Sequence, residues 1–512
     1  MRLAACCATR KPPNADGRKK LLLVYAVSEP SRQLIPESKR GVMAPLWAAI
    51  IAGLTPEDEW DIRFVDECRE LCPLDEPADL VGISAMSMNA ARAYQLALAF
   101  RERSIPVVMG GWHISAFPEE ALQFCDAVVV GEAERAWPLL LEDFKTGSLR
   151  KVYREFRPEL TPDIPLPRRS VYPMKYMCGS VQFGRGCSGN CDFCSIGTLY
   201  GKGVRYRPIE QVLDDVESCP EKMIFFVDEN FTGHSRKEQA MAVRLLREWE
   251  RRSIRKKWFS MGSVEMTENE ELLELMRRTG CMMMLIGFED IAPRHLQSFN
   301  KRVNARTDYF NIIEKLHAYD IAVIGAFILG SPGHTAEDIR AIFDFCLESS
   351  LDVPQFAVAA PIPGSKWWDR YKGDVPWQDF PEAYSTVASA FLPVMPDCSV
   401  SFEELIELYR TYLPRLGSMK RILGRFFHWV RRGQMDTAFA LMGMSFGTRE
   451  YFKRFSNLDR IFDFGNGQWL IRSRDENRLP PIPPLPSGPA AARQARCLDG
   501  RHANTLVGEG PS

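Results

Sequence analysis

No stretch of the 512 residues stays apolar for the roughly 18 positions that suggest a membrane-spanning helix. Neither charge dominates. Lys and Arg number 65 against 66 Asp and Glu, a balance that argues against nucleic-acid binding as the main business and leaves only a local patch open. Fourteen cysteines are thin cover for a chain this long, so a small disulfide-stapled domain is excluded and a reduced compartment with a few working cysteines fits. Histidine is scarce as well, and His113 is the only one between residues 19 and 150. The opening MRLAACCATR faintly resembles a lipoprotein cleavage site, but its apolar stretch is too short for a secretory signal, and a cytoplasmic protein is expected.

Two alternations of apolar strands with helices fill most of the chain. In the first, LLLVYAV (21–27), DIRFVDE (61–67), LVGISAM (80–86), PVVMGG (106–111) and DAVVVGE (126–132) read as strands. Helical patterns fall between them, and nearly continuous apolar strands of this kind indicate a doubly wound parallel sheet. The second offers strands at 180–186, 223–229, 257–263, 282–289, 321–330 and 354–361, separated by helices near 236–252, 269–279, 305–319 and 335–349. Six such units make a partial barrel with its chemistry at the carboxyl-end mouth. The expected organisation is a disordered leader over 1–18, a Rossmann-like domain over 19–150 and a proline-rich linker over 151–174. A barrel over 175–372, a mostly helical region over 373–478 and a disordered tail over 479–512 follow. Trp377, Trp429 and LGRFFHW (423–429) are expected to pack rather than catalyse, and Met261, Met282, Met283 and Met284 to fill core.

The segment FGRGCSGNCDFCSIGTLYGKGVRYRP (183–208) carries chemistry. Cys187, Cys191 and Cys194 stand at C-x3-C-x2-C, with Gly186 and Gly189 available for tight turning. A [4Fe–4S] cluster usually takes four cysteines, so three would leave one iron open. A structural zinc loop is the alternative. It needs a fourth Cys or His at matching spacing, and Cys178 lies nine residues upstream across the first strand.

C-x3-C-x-F-C at the end of a first barrel strand resembles the signature of the radical S-adenosylmethionine superfamily, with Phe193 at the aromatic position. The resemblance implies a [4Fe–4S] cluster on the three cysteines, S-adenosylmethionine chelated to the open iron, and a 5′-deoxyadenosyl radical that abstracts hydrogen from unactivated carbon. It also implies an external electron donor of flavodoxin or ferredoxin type. Further segments fall where that family places cofactor contacts. FVDEN (226–230) supplies Asp228 and Glu229, expected to face the mouth. GFEDIAPRHLQSFNK (287–301) supplies Gly287 and Glu289 and resembles a G-x-E-S stretch followed by Lys, with Asp290 in place of Ser. GAFILGSPG (325–333) supplies Gly325 and Gly330, and PIPGS (361–365) borders the substrate.

The first domain is similar to the cobalamin-binding domain that precedes many such barrels, through VGIS, GGWHISAFPEE (110–120) and VVVGEAE (128–134). Gly110, Gly111 and Gly131 are the expected points of close backbone approach. The D-x-H-x-x-G motif that supplies histidine to cobalt in many cobalamin proteins is missing. His113 is read as structural, and the loop around Ser28–Arg32, expected under the cobalt, holds no histidine. The expected function is cobalamin-dependent methyl transfer to carbon of a small organic metabolite. Radical ring formation, oxidation or rearrangement without methyl transfer is the alternative within enzymes, and a non-catalytic metal-binding or redox-sensing protein the alternative outside them.

Overall fold

The computed structural model describes residues 17–28, 42–155, 164–373, 395 and 397–458, and the backbone of two short strands, Phe462–Asp463 and Leu470–Ile471. Nearly all of the expected leader, the tail from Leu479, Trp377 and the loop after Ser28 lie outside the described residues.

The first sheet contains β1 (Lys19–Tyr25), β2 (Trp60–Asp66), β3 (Leu80–Ser84), β4 (Val107–Gly110), β5 (Ala127–Gly131) and β6 (Val152–Glu155). Their order is β2-β1-β3-β4-β5-β6, and every neighbouring pair is parallel. Helices cover both faces, which is why the strands are almost wholly apolar. Leu22 and Val24 enter a core with Tyr94, Leu96 and Phe100 of helix Ala90–Glu102, while Leu21 and Leu23 meet Trp137 and Leu140 of helix Ala136–Thr146. The chain moves from β1 outward to β2 and then returns to the other side at β3. That reversal is the switch point beyond which doubly wound sheets bind ligands. β6 differs from the sequence reading, which assigns 151–174 to a linker. Its VYRE sequence is too short and polar to signal a strand, and it forms only because the exposed edge of β5 accepts it.

The second sheet contains β7 (Gly179–Val181), β10 (Met223–Phe226), β11 (Lys257–Gly262), β12 (Cys281–Glu289), β13 (Ala322–Leu329) and β14 (Val353–Val358). They lie side by side in sequence order and all parallel, forming the six-unit open barrel expected. The first strand is shorter than its apolar run. After Val181 the chain turns into a small antiparallel ribbon, β8 (Gly184–Arg185) with β9 (Arg205–Tyr206), which brackets the cysteine loop. Helices Arg236–Arg251 and Ala336–Glu348 start at capping boxes, Ser235 with Glu238 and Thr335 with Asp338, so their first-turn N–H groups are satisfied locally.

Three C-terminal helices follow, Phe402–Leu416, Met419–Arg431 and Met435–Phe455. The last two form a hairpin whose Trp429, Ala438 and Leu441 pack on Phe259, Met282, Met283, Ile324 and Val353. Leu405, Tyr409 and Leu413 of the first join the other barrel core. Trp429 is fully buried, and its Nε1–H donates to Asp352 Oδ1 at 2.7 Å. Met282, Met283 and Met284 are core residues, as expected.

Candidate active site

The cysteine loop leaves β7 and is clamped before it reaches Cys187. Both carboxylate oxygens of Asp228, at the end of β10, accept backbone N–H bonds, from Phe183 at 3.0 Å and from Gly184. Glu229 accepts the Gly186 N–H at 3.0 Å. The structure thus places both expected carboxylates on the loop's own backbone. Burial pushes the Asp228 carboxyl up to about 7, although the two N–H bonds pull it down. Gly186 adopts φ +95°, and a Cβ there would stand 2.4 Å from the Gly203 carbonyl oxygen. Only glycine takes that turn without strain.

Cys187, Cys191 and Cys194 are free, partly exposed thiols on one short loop. Burial pushes Cys191 up to about 12 and also raises Cys194, and the Cys187 sulfur raises both a little further. Three thiolates so placed need cationic compensation, which the irons of a cluster would supply. Among the described residues, only Asp290, His295 and His334 bring three ligand atoms within 4.8 Å of one another.

Neighbouring segments hold the loop in place. Phe193 packs on Phe299 and Trp367, with ring centroids 6.3 and 5.7 Å away. The Asp192 N–H donates to the Phe299 carbonyl at 3.0 Å, and the Thr198 hydroxyl donates to the Gly364 carbonyl at 2.6 Å. The PIPGS turn therefore borders the loop. At the end of β12, Glu289 takes φ +66° and ion-pairs with Lys301 at 2.5 Å. A Cβ on Gly287 would come 2.2 Å from Glu289 Oε1. Gly287, Glu289 and Lys301 thus converge, and the last two lie close enough to Cys191 to act on it electrostatically. Gly330 turns the chain at the end of β13 with φ +67°. Gly325 is placed differently. It sits within β13, and a Cβ there would press on Leu351 and Phe288 at 3.0 Å, in the core.

One contact escaped the sequence reading. His234 Nε2 lies 3.4 Å from Cys187 Sγ, and its Nδ1 lies 2.9 Å from Glu265 Oε1. Burial lowers the imidazole, but Cys187 and Glu265 outweigh it and push it up to about 9. No spacing rule links positions 187, 234 and 265; the ends of different strands bring them together.

In the first domain Gly110, Gly111 and Gly131 stand at the carboxyl ends of β4 and β5. Gly111 has φ +99°, and a Cβ would meet the Ala85 carbonyl at 2.8 Å. The glycine there is required by the close packing of the chain end of β4 on Ala85 and Ser84. His113 is fully buried, with Ser87 Oγ and Glu120 Oε1 each 3.2 Å from a ring nitrogen. Both nitrogens therefore face protein groups, in keeping with a structural residue. The carboxylates of VVVGEAE reach across to the barrel. Glu134 ion-pairs with Arg185 at 2.5 Å, and Arg205 donates to Glu132 at 3.2 Å. Trp112 meets Tyr200 edge-on at 5.9 Å, and Phe117 meets Trp368 at 5.7 Å. The strand ends of the first sheet thereby lie against the loop carrying Cys187, Cys191 and Cys194, and one substrate can face both domains.

Comparison with known proteins accords with this geometry. A family model for the radical SAM superfamily matches residues 181–346, and one for the B12 binding domain matches 36–141. Bacteriochlorophyllide d C-12(1)-methyltransferase of Chlorobaculum tepidum is 30% identical over 427 residues, covering 81% of this chain and 91% of the relative. Hopanoid C-2 methylase of Rhodopseudomonas palustris is 28% identical, covering 64% of each. Among solved structures, the radical S-adenosylmethionine methyltransferase TsrM of Kitasatospora setae, with cobalamin and a [4Fe–4S] cluster bound, shares the fold. Its TM-score is 0.52 at 17% identity, covering 68% of this chain and 77% of that one.

The chain belongs to the radical SAM superfamily, among the members that carry a B12-binding domain ahead of the barrel. It is a cobalamin-dependent radical SAM methyltransferase, and its cofactors are a [4Fe–4S] cluster, S-adenosylmethionine and cobalamin. Among the described residues no helix is long and apolar enough to cross a membrane.

Proposed function

We propose that this enzyme methylates a carbon of a rigid, mainly apolar, multi-ring substrate bound between the two domains. One observation carries the reading: partly exposed aromatic side chains line the junction beside the cysteine loop. Trp112 and Phe117 come from the first domain, Tyr200 and Trp368 from the barrel. Flat aromatic walls suit large apolar rings, which bury area against them without leaving polar groups unpaired. Relatives that act on bacteriochlorophyllide d and on hopanoids support the same class.

The roles of the chain's own residues follow from their places. Cys187, Cys191 and Cys194 hold the cluster, while Asp228 and Glu229 keep the loop's backbone in register. Gly287, Glu289, Lys301 and Gly330 border S-adenosylmethionine, and Gly110, Gly111 and Gly131 let cobalamin lie close to the strand ends. When bound, the cofactors supply a radical oxidant for an unactivated C–H bond and the methyl group that replaces its hydrogen. The protein orients the substrate carbon and keeps water from the junction. Reducing equivalents come from a flavodoxin- or ferredoxin-like donor.

The test is anaerobic incubation of the reconstituted enzyme with deuteromethyl-labelled S-adenosylmethionine, using bacteriochlorophyllide d, a hopanoid and tryptophan as candidates. A labelled methyl group on one of the ring systems, with release of 5′-deoxyadenosine, is expected. Methylation of tryptophan alone would overturn the substrate class. Release of 5′-deoxyadenosine with a cyclised or oxidised, unmethylated product would replace methyl transfer by the ring-forming reading.

A further inference from the structure

A second group of metal-ligating side chains lies behind the cysteine loop. Asp290 follows β12, His295 sits in helix Pro293–Ser298, and His334 lies in the SPGH turn after β13. The three are 0%, 5% and 0% exposed, and one ligand atom from each falls within 4.8 Å of the others. His334 Nε2 is 2.7 Å from Asp290 Oδ2, and the two imidazole centroids are 4.4 Å apart. The aromatic ring of Phe299 stands between this group and Phe193, so the cluster cysteines are not part of it.

Three features distinguish the group from an ordinary buried hydrogen-bonded cluster. A fully buried carboxylate is costly without a compensating cation, yet among the described residues no Lys or Arg ion-pairs with Asp290. Its other oxygen is occupied by the Ala292 N–H at 2.8 Å, which fixes the carboxylate's orientation. His334 Nδ1 is buried and has no hydrogen-bond partner. Asp338 Oδ2 lies 3.4 Å from His295 Nε2, which also accepts from Arg294 Nε at 3.2 Å, and Asp338 is itself held by the Thr335 N–H and hydroxyl. A carboxylate placed behind a ring nitrogen is the arrangement that orients a metal-binding histidine.

We propose that Asp290, His295 and His334 form a site for one divalent first-row transition ion, separate from the cluster. Two histidines and one carboxylate leave a further coordination position open. The ion would tie the end of β12 to the turn after β13 and so anchor Glu289, which directly precedes Asp290, at the barrel mouth.

Zinc is the probe. The full-length, cluster-loaded enzyme is equilibrated with zinc, desalted and analysed for metals, and its zinc X-ray absorption is recorded. About one zinc per chain is expected, with a shell of nitrogen and oxygen only, at ~2.0–2.1 Å. Asp338→Asn should weaken zinc binding ~10–100-fold, and His334→Gln should lose the zinc while iron content holds. A sulfur shell at ~2.3 Å would place the ion on cysteines and overturn the site. Absence of retained zinc in the wild-type protein, or undiminished zinc in His334→Gln, overturns it too. Should His334→Gln fail to fold, the wild-type absorption shell and the Asp338→Asn affinity decide the matter.

Discussion

At the scale of single residues, the cysteine loop depends on a few atoms placed without slack. Gly186→Ala would force a side chain into φ +95° and against the Gly203 carbonyl. Strain of this kind costs ~1–3 kcal/mol. The variant should melt at lower temperature and load less iron, and wild-type values for both would show that the loop relaxes freely. Replacing Cys187, Cys191 and Cys194 together by Ala should abolish site iron and all cleavage of S-adenosylmethionine, whereas Cys178 and Cys281, both buried in core clusters, should be dispensable for both. Iron retained in the triple variant would sink the assignment. The three cysteines could be read from spacing because their function is local to one loop. The pairing of His234 with Cys187 was not legible, since it joins separate segments; Glu289 and Lys301 share one legible stretch, and only their place beside Cys191 needed the fold.

At the scale of elements, a buried carboxylate is one of the ties between the C-terminal helices and the barrel. Asp352 accepts from His317 Nε2 at 2.7 Å, Trp429 Nε1 at 2.7 Å and the Val323 N–H at 2.9 Å. Burial raises its carboxyl, but His317 and the other two donors outweigh burial and hold it below the usual carboxylate range. A depressed carboxyl stabilises the fold fully above its unfolded value, near pH 4, and that contribution is lost as pH falls through the folded value. Asp352→Ala leaves buried donors without an acceptor and should cost ~3–5 kcal/mol. In denaturant titrations at neutral pH the variant should unfold earlier, and the gap from wild type should narrow on strong acidification. A gap that widens in acid would contradict the assignment. The hydrophobic pattern identified these helices as packing elements, but the polar atom of Trp429 and its partner came only with the tertiary contact.

At the scale of the whole molecule, two sheets with separate cores meet through ion pairs, aromatic contacts and hydrogen bonds. The Arg185 side chain is only 9% exposed and faces Glu132 and Glu134 across the junction. Arg185→Met takes from Glu134 its ion pair with Arg185, while Glu132 keeps Arg205, and removing one partner of a buried pair typically costs ~3–5 kcal/mol. Calorimetry should then show two separated transitions where the wild type shows overlapping ones, with weaker cobalamin retention; an unchanged profile would show that the remaining contacts hold the junction without Arg185. Exposure to air should bleach the protein and remove its iron while circular dichroism stays close to its starting value, because each alternating sheet is buried on its own apolar contacts. Loss of secondary structure together with the iron would make the cluster a structural support.

The amino-acid sequence by itself determined the nearly continuous apolar strands, the helices between them, the parallel architecture and the three clustered cysteines. Each of these is encoded within a few consecutive residues, where propensity, capping and spacing act directly. Tertiary structure alone decided what joins distant positions. It turned the VVVGEAE carboxylates onto Arg185 and Arg205, set Gly325 into the core, added β6 to the first sheet and brought Asp290, His295 and His334 together. Burial and charge pairing act through space, and only the folded chain specifies which strand ends come face to face.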